Sequence, residues 1–174
     1  MHNPSKLFTA ALLLGLIFAP LSHALDLLNG SDEPVRIKAG RWERDGQKGI
    51  DTYIGNVVII QGKSSIEADK VILYTDDNGI SRFQATGKPA HLVQFDQEKQ
   101  TETHAYAENM DYDRSQSKVV MRNHARILQD NSSVEGEEII YFTDKRLVTA
   151  KGASSGNQTE QVEIIYHPPK SNKQ

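Results

Sequence analysis

The chain contains no cysteine, and that absence removes several possibilities at once. A disulfide scaffold, a thiol nucleophile and a lipid anchor on an amino-terminal cysteine are all excluded. Basic residues show no surplus, with 20 lysines and arginines against 23 aspartates and glutamates. Nucleic acid is therefore not an expected partner, because its binders usually carry a basic surface. No stretch reaches the roughly 20 apolar residues that a membrane-spanning helix requires. The long apolar run that does occur, Leu7 to Phe18, follows a single basic residue, Lys6, and is followed by Pro20 and the small residues Ser22 and Ala24. Met1–Ala24 reads as a secretory signal peptide cut before Leu25. Removing 24 of the 174 residues leaves 150, with 19 basic and 23 acidic side chains, which suits one domain with its own core.

Catalytic signatures are also missing. No G-x-S-x-G elbow occurs, and Ser64-Ser65 and Ser132-Ser133 fall in matching turns. The histidines of the mature chain (His91, His104, His124 and His167) show no metal-ligand spacing, so no metal and no other cofactor is expected. Asp76-Asp-Asn78-Gly79 lacks the further ligands and closing glutamate of a calcium loop and reads as a tight turn. Spacing alone leaves paired carboxylates open, but Asp69 and Glu137 occupy equivalent bends, where a structural role is the plainer account. The chain is not expected to be an enzyme.

What the sequence does contain is an internal repeat. Shifting Gly55–Tyr74 by 68 positions lands on Asn123–Phe142, matching Ile66 with Val134, Ala68 with Gly136, Asp69 with Glu137 and Val71 with Ile139. Partial copies flank it. Ala105–Tyr112 repeats the Ile66–Leu73 half, Gly87–Gln94 repeats the Gly55–Gln61 half with one residue inserted, and Ile37–Trp42 is a weaker echo. Shared positions in Val57/Ile59/Gln61, Ala90/Leu92/Gln94 and Ala125/Ile127/Gln129 recur every second residue, which is strand periodicity. In the other half the parity flips at Asp69, between Ile66/Ala68 and Val71/Leu73, so a bend or bulge there would bring both pairs to one face. Each unit reads as two or three short β-strands with one apolar face.

In chain order, an acidic lead-in (Asp26, Asp32, Glu33) occupies 25–33, and the domain spans 34–167, opening with a strand over Val35–Ala39. Turns are expected at Asp45-Gly46 to Gly49, Asp76–Gly79, Asp96–Glu102, Asp113–Ser117, Asp130–Ser132 and Thr143–Lys145, with Pro89 at a bulge or edge. Gly152–Gln158 reads as a loop, Val162–Tyr166 as a last strand and 168–174 as a disordered polar tail. That rhythm of strands and turns predicts an all-β sandwich, jelly roll or related stack.

The strings Gly55-Asn-Val, Gln61-Gly, Ile66-x-Ala68-Asp69-Lys70-Val71, Gly87-Lys-Pro-Ala90 and Ala107-x-x-Met110-x-Tyr112, behind a signal peptide, resemble the OstA-like family. The resemblance covers about Glu33 to Tyr166 and implies an open, twisted β-jelly roll of antiparallel strands whose inner face is an apolar groove. It further implies a periplasmic protein that binds lipopolysaccharide and carries it from inner to outer membrane. Protomers would join head to tail with each other and with jelly-roll partners at both membranes, and energy would come from an ATPase elsewhere in the assembly. By parity, the groove candidates are Val35, Ile37, Val57, Ile59, Ile66, Val71, Leu73, Leu92, Met110, Tyr112, Ile127 and Tyr141. The resemblance singles out Val35, Ile37, Leu92 and Tyr112 as lipid-contacting. Small inward residues (Ala39, Ala68, Ala90, Ala107, Ala125, Gly136) leave room for a lipid, yet they equally suit two sheets packed around an ordinary core. The alternative function is a secreted β-sandwich module for glycans, with Phe95 and Tyr106 as isolated exposed aromatics.

Processing supplies the first test. Amino-terminal sequencing of the exported protein is expected to read Leu25-Asp26; a membrane-bound product starting at Met1 would overturn the signal-peptide reading.

Overall fold

The computed structural model describes residues 33–142, 144–145, 147–155, 158–159 and 161–167. The expected signal peptide, residues 25–32 of the lead-in and the tail 168–174 lie outside the described residues. Within them every regular element is a strand: β1 (Arg36–Lys38), β2 (Arg41–Asp45), β3 (Ile50–Gln61), β4 (Ser64–Asp76), β5 (Gly79–Asp96), β6 (Thr101–Asp113), β7 (Lys118–Gln129), β8 (Ser132–Phe142), β9 (Leu147–Lys151), β10 (Ser154–Ser155), β11 (Gln158–Thr159) and β12 (Glu163–Ile165). One antiparallel sheet runs in the order β1-β3-β4-β5-β6-β7-β8-β12, with β2 also on β3 and β9 also on β8. Each repeat unit is thus one hairpin, β3–β4, β5–β6 or β7–β8. The stretch expected as a loop at Gly152–Gln158 instead carries β10, which pairs with β11.

Turn chemistry closes the hairpins as the sequence predicts. Asp45, Asp76, Asp96 and Asp113 each accept a backbone N–H two or three residues on, at 2.8–3.2 Å, which holds the chain in a turn. Ser64 and Ser132, read as turn residues, are the first residues of β4 and β8 and pair with Gln61 and Gln129.

The strands differ from expectation in length. Instead of two or three short strands per unit, each unit holds two strands of 11 to 18 residues, every one continuing through the parity flip. Register breaks lie side by side across the sheet, at 54/57 on β3, 67/70 on β4, 86/90 on β5, 106/109 on β6 and 122/125 on β7. A bulge bends a strand without ending its ladder, because pairing resumes beyond the extra residue. Consecutive left-handed residues make two of these bends: Gly55 (φ 85°) with Asn56 (φ 45°), and Asn123 (φ 63°) with His124 (φ 55°). Glycine and asparagine tolerate that region better than branched residues do. The aligned bends form a crease that divides the sheet into two halves.

The crease explains the core. Ile66 and Val71 are both 0% exposed although they sit on either side of the bend in β4. No other described element covers the sheet's apolar face, so its two halves cover each other. One cluster accordingly joins residues from both, including Ile59, Ile66, Ala90 and Ala107 with Val71, Phe83, Met110 and Ile139. Fully burying one such side chain contributes about 1.5–3 kcal/mol. The outer face carries cross-strand ion pairs instead, such as Arg122–Glu138 at 2.8 Å and Arg126–Glu135 at 2.7 Å. Exposed pairs of this kind contribute about 0–1 kcal/mol each, so the interior dominates.

Both sheet edges are built from a strand in two pieces, one piece per half. β1 pairs with residues 58–60 and β2 with residues 50–54 of β3, and Gly40 N–H donates to Gly55 O at 2.8 Å between them. At the opposite edge β9 takes residues 138–142 of β8 and β12 takes residues 133–135.

The crease has little room at β5. A Cβ on Gly87 would lie 2.6 Å from Ala90 N and 2.8 Å from Ala90 Cα, whereas one on Gly46 would meet nothing within 4 Å. Gly87→Ala is expected to lower stability by about 1–3 kcal/mol, through overpacking against backbone that cannot yield. Gly46→Ala should stay within about 0.5 kcal/mol. Urea midpoints at unchanged slope would show it, and equal midpoints for the two variants would refute a tight crease.

Candidate functional site

Register arranges the inner face in rows that run across the strands. The outermost row of one half is Asp51, Leu73, Phe83, Tyr112, Val119 and Tyr141, and the next is Tyr53, Val71, Ala85, Met110, Met121 and Ile139. Across the crease come the small pairs Val57/Ala68, Ala90/Ala107 and Ala125/Gly136. Beyond them a branched row runs Ile37, Ile59, Ile66, Leu92, Ala105, Ile127 and Val134. The far rim is polar. Gln61 faces Ser64, Gln94 faces Thr103 and Gln129 faces Ser132, and the first four of these are 5–8% exposed.

Of the candidates read from sequence, Val57, Ile59, Ile66, Val71, Leu73, Leu92, Met110, Tyr112 and Tyr141 are buried in the single cluster. Ile37 and Ile127 pack against it, partly buried. Val35 does not join them: it precedes β1, whose first paired residue is Arg36, and is 42% exposed. Ala39, read as inward, is likewise exposed, in the gap between β1 and β2. The parity argument fails at both because β1 is only three residues long.

Sequence reasoning missed part of the interior. Val134 and Ile139 are buried as the repeat mates of Ile66 and Val71, and that pairing was the signal that could have found them. Phe83, whose ring lies 5.6 Å from that of Tyr112, gave only its alternation with Ala85. Asp51 gave none: it is 6% exposed at the rim, where Trp42 Nε1 donates to its Oδ1 at 2.9 Å and Arg44 lies 3.7 Å from Oδ2.

Electrostatic contacts gather on the outer face. Arg82 Nε donates to Asp111 Oδ1 at 2.8 Å, and Gln84 Nε2 donates to Asp111 Oδ2 at 3.1 Å. Burial pushes the Asp111 carboxyl upward, but the hydrogen bonds from Arg82 and Gln84 outweigh it and hold the group below its ordinary range. The hydrogen bond to Asp111 raises Arg82 in turn. The aromatics proposed for glycan stacking are already engaged, with Lys63 Nζ 4.1 Å above the Phe95 ring and His91 stacked 4.2 Å from Tyr106. A cavity of about 500 Å³ opens beside the crease on the outer side, lined by Tyr106, Arg126, Glu135 and Glu137 together with Ala125, Gly136, Gly152 and Glu163. Asp69 and Glu137 stay apart at their separate bends, and no group of three metal-ligating side chains is found among the described residues.

An open antiparallel sheet folded along a crease, with an unbroken apolar inner face, places the molecule among the open β-jelly rolls. Comparison with known proteins narrows the class. The family described as LptA/(LptD N-terminal domain) LPS transport protein matches residues 36–146, and the chain belongs to that family. It is 32% identical over 168 residues to lipopolysaccharide export system protein LptH of Pseudomonas aeruginosa, covering 93% of this chain and 95% of that one. To LptA of Escherichia coli it is 29% identical over 149 residues, covering 84% and 80%. The crystal structure of the Pseudomonas aeruginosa LptH, described as the periplasmic component of the lipopolysaccharide transport device, superposes with a TM-score of 0.66 at 29% identity, covering 80% of this chain and 99% of that one. These relatives are transport proteins, and the chain is not an enzyme.

Proposed function

We propose that the chain is a periplasmic lipopolysaccharide-binding transport protein whose inner face takes the acyl chains, and whose open edges pass them to the next molecule on the way to the outer membrane. The unbroken apolar face carries the reading. Its rows cross six strands from β3 to β8, about 24 Å at roughly 4.8 Å per strand. One leaflet of a bilayer holds acyl chains within about 15 Å, so a row is long enough to lay a chain lengthwise.

In this structure the interior is filled, with Val57, Ile59, Ile66, Val71 and Ile139 at 0–1% exposure. Acyl chains therefore enter by parting the two halves about the crease, where the smallest side chains stand. Little apolar contact is lost there, because alanine and glycine have little to lose.

Assembly follows from the edges. Each end of the sheet has unpaired backbone groups and exposed apolar side chains: Val35 and Trp42 at one, Leu147, Ile164, Ile165 and Tyr166 at the other. Pairing one edge with the opposite edge of a neighbour, or of jelly-roll partners at either membrane, completes both ladders. The two surfaces differ, so the contact is heterologous and propagates.

A photo-crosslinking residue at Leu92 or Tyr112 is expected to capture lipopolysaccharide, and one at His91 or Asp111, on the outer face, is not. Equal capture at all four would end the one-sided reading. For assembly, light scattering over a concentration series should show mass growing without fixed stoichiometry, and a chain ending at Gln161 should remain monomeric while still binding lipid. A full mature chain that stays monomeric at every concentration would refute self-assembly.

A further inference from the structure

The outer face holds a group that neither the apolar interior nor the sheet edges use. His91 on β5 and His104 on β6 are 13 residues apart in sequence, and the β5–β6 register sets them diagonally. His91 Nε2 lies 3.1 Å from His104 Nδ1. We propose that these two nitrogens form a binding site for a borderline divalent transition-metal ion, with Cu2+ the best fit.

The distance suits the chemistry. Two nitrogens 3.1 Å apart, each about 2.0–2.1 Å from a shared ion, subtend about 95–102° at the metal. That angle lies between the cis angle of square-planar or octahedral coordination, about 90°, and the tetrahedral value, about 109°. In the N···N contact both nitrogens point along the line between them, so each ring turns by about 40° for its lone pair to meet the other at the common point.

Neighbouring groups orient both imidazoles. His104 Nε2 lies 3.5 Å from Glu102 Oε2, so the far ring nitrogen faces a carboxylate while Nδ1 faces His91. A carboxylate on that side favours the tautomer with its proton on Nε2, which leaves Nδ1 the lone-pair nitrogen. His91 is held by stacking on Tyr106, with ring centroids 4.2 Å apart and planes 4° from parallel. Metal binding needs no net proton loss. Whichever ring carries the proton of the Nε2···Nδ1 contact, that proton moves to the same ring's other nitrogen, and the pair exchanges one N–H···N bond for two N–metal bonds. Glu67 stands opposite His91 in register. Among the described residues no third imidazole or carboxylate converges with the pair, so water or a group from another molecule completes the coordination. For imidazole ligands the affinity order places Cu2+ above Zn2+ and Ni2+.

The test uses the tag-free mature chain titrated with Cu2+ alone, followed by calorimetry and electron paramagnetic resonance. One equivalent is expected, with nitrogen hyperfine structure from two imidazoles. His91→Ala and His104→Ala should each weaken it at least tenfold, Glu102→Gln about tenfold as a second-layer effect, and His124→Ala not at all. Circular dichroism on each variant separates loss of the site from loss of the fold, since both rings lie on the outer face. Wild-type affinity retained in both histidine variants, or no uptake by the wild type, would overturn the proposal. The site is independent of lipid binding, so either can fail without the other.

Discussion

A sheet with one apolar face must cover it, and here nothing else described in the chain is available to do so. The bend solves that problem. In each strand pairing, the extra residues at the break fall on β3, β5 or β7, and never on β4, β6 or β8. Every hairpin therefore contributes one bulged and one even strand, and repeating the hairpin carries the crease across the whole sheet. Loss of the bend would leave Ile66 and Val71 on opposite faces, because side-chain direction alternates with period two. The hydrophobic term, the largest in folding, would then work against the fold.

The same geometry leaves the ends open. A sheet that folds over without closing into a barrel keeps two edges, and proteins usually blunt such edges to avoid uncontrolled pairing. This chain breaks each edge into two short pieces, β1 with β2 and β9 with β12, so that no single edge strand is both long and flat. Exposed Trp42, Ile164, Ile165 and Tyr166 nevertheless stay near those edges. A shortened but apolar edge fits a contact that forms with a matching partner better than one that aggregates freely.

Under the proposed reading, stability and lipid carriage draw on one set of side chains. The rows that enclose Phe83, Ile59 and Ile139 give the protein its core, and an acyl chain would replace side-chain contacts with contacts of similar kind. In that proposal the exchange is nearest balance where the displaced groups are small, at the alanine and glycine row on the crease. The polar rim of Gln61, Ser64, Gln94 and Thr103 bounds the apolar rows on one side. Buried amides and hydroxyls disfavour an acyl chain there, so under the proposed reading the rim bounds the hydrocarbon on that side only.

Local pattern settled much of this protein. Period-two alternation, Asp-led turns and the 68-residue shift determined that the chain is all-β, where its hairpins turn, and that the parity flip at Asp69 marks a bend. Those signals are short-range, carried by neighbouring residues and by copies of one unit, and they placed most of the inner face. What they could not determine depends on which strands lie side by side and which halves face each other. Whether a unit is several short strands or two long bent ones is decided by pairing that resumes beyond the bulge. Whether Val35 is covered is decided by how far an edge partner extends. The meeting of His91 with His104, and of Trp42 with Asp51, is set by cross-strand register, which brings residues 13 and 9 positions apart within hydrogen-bonding distance. Register is fixed by burial of the whole face at once, so only the folded sheet decides it.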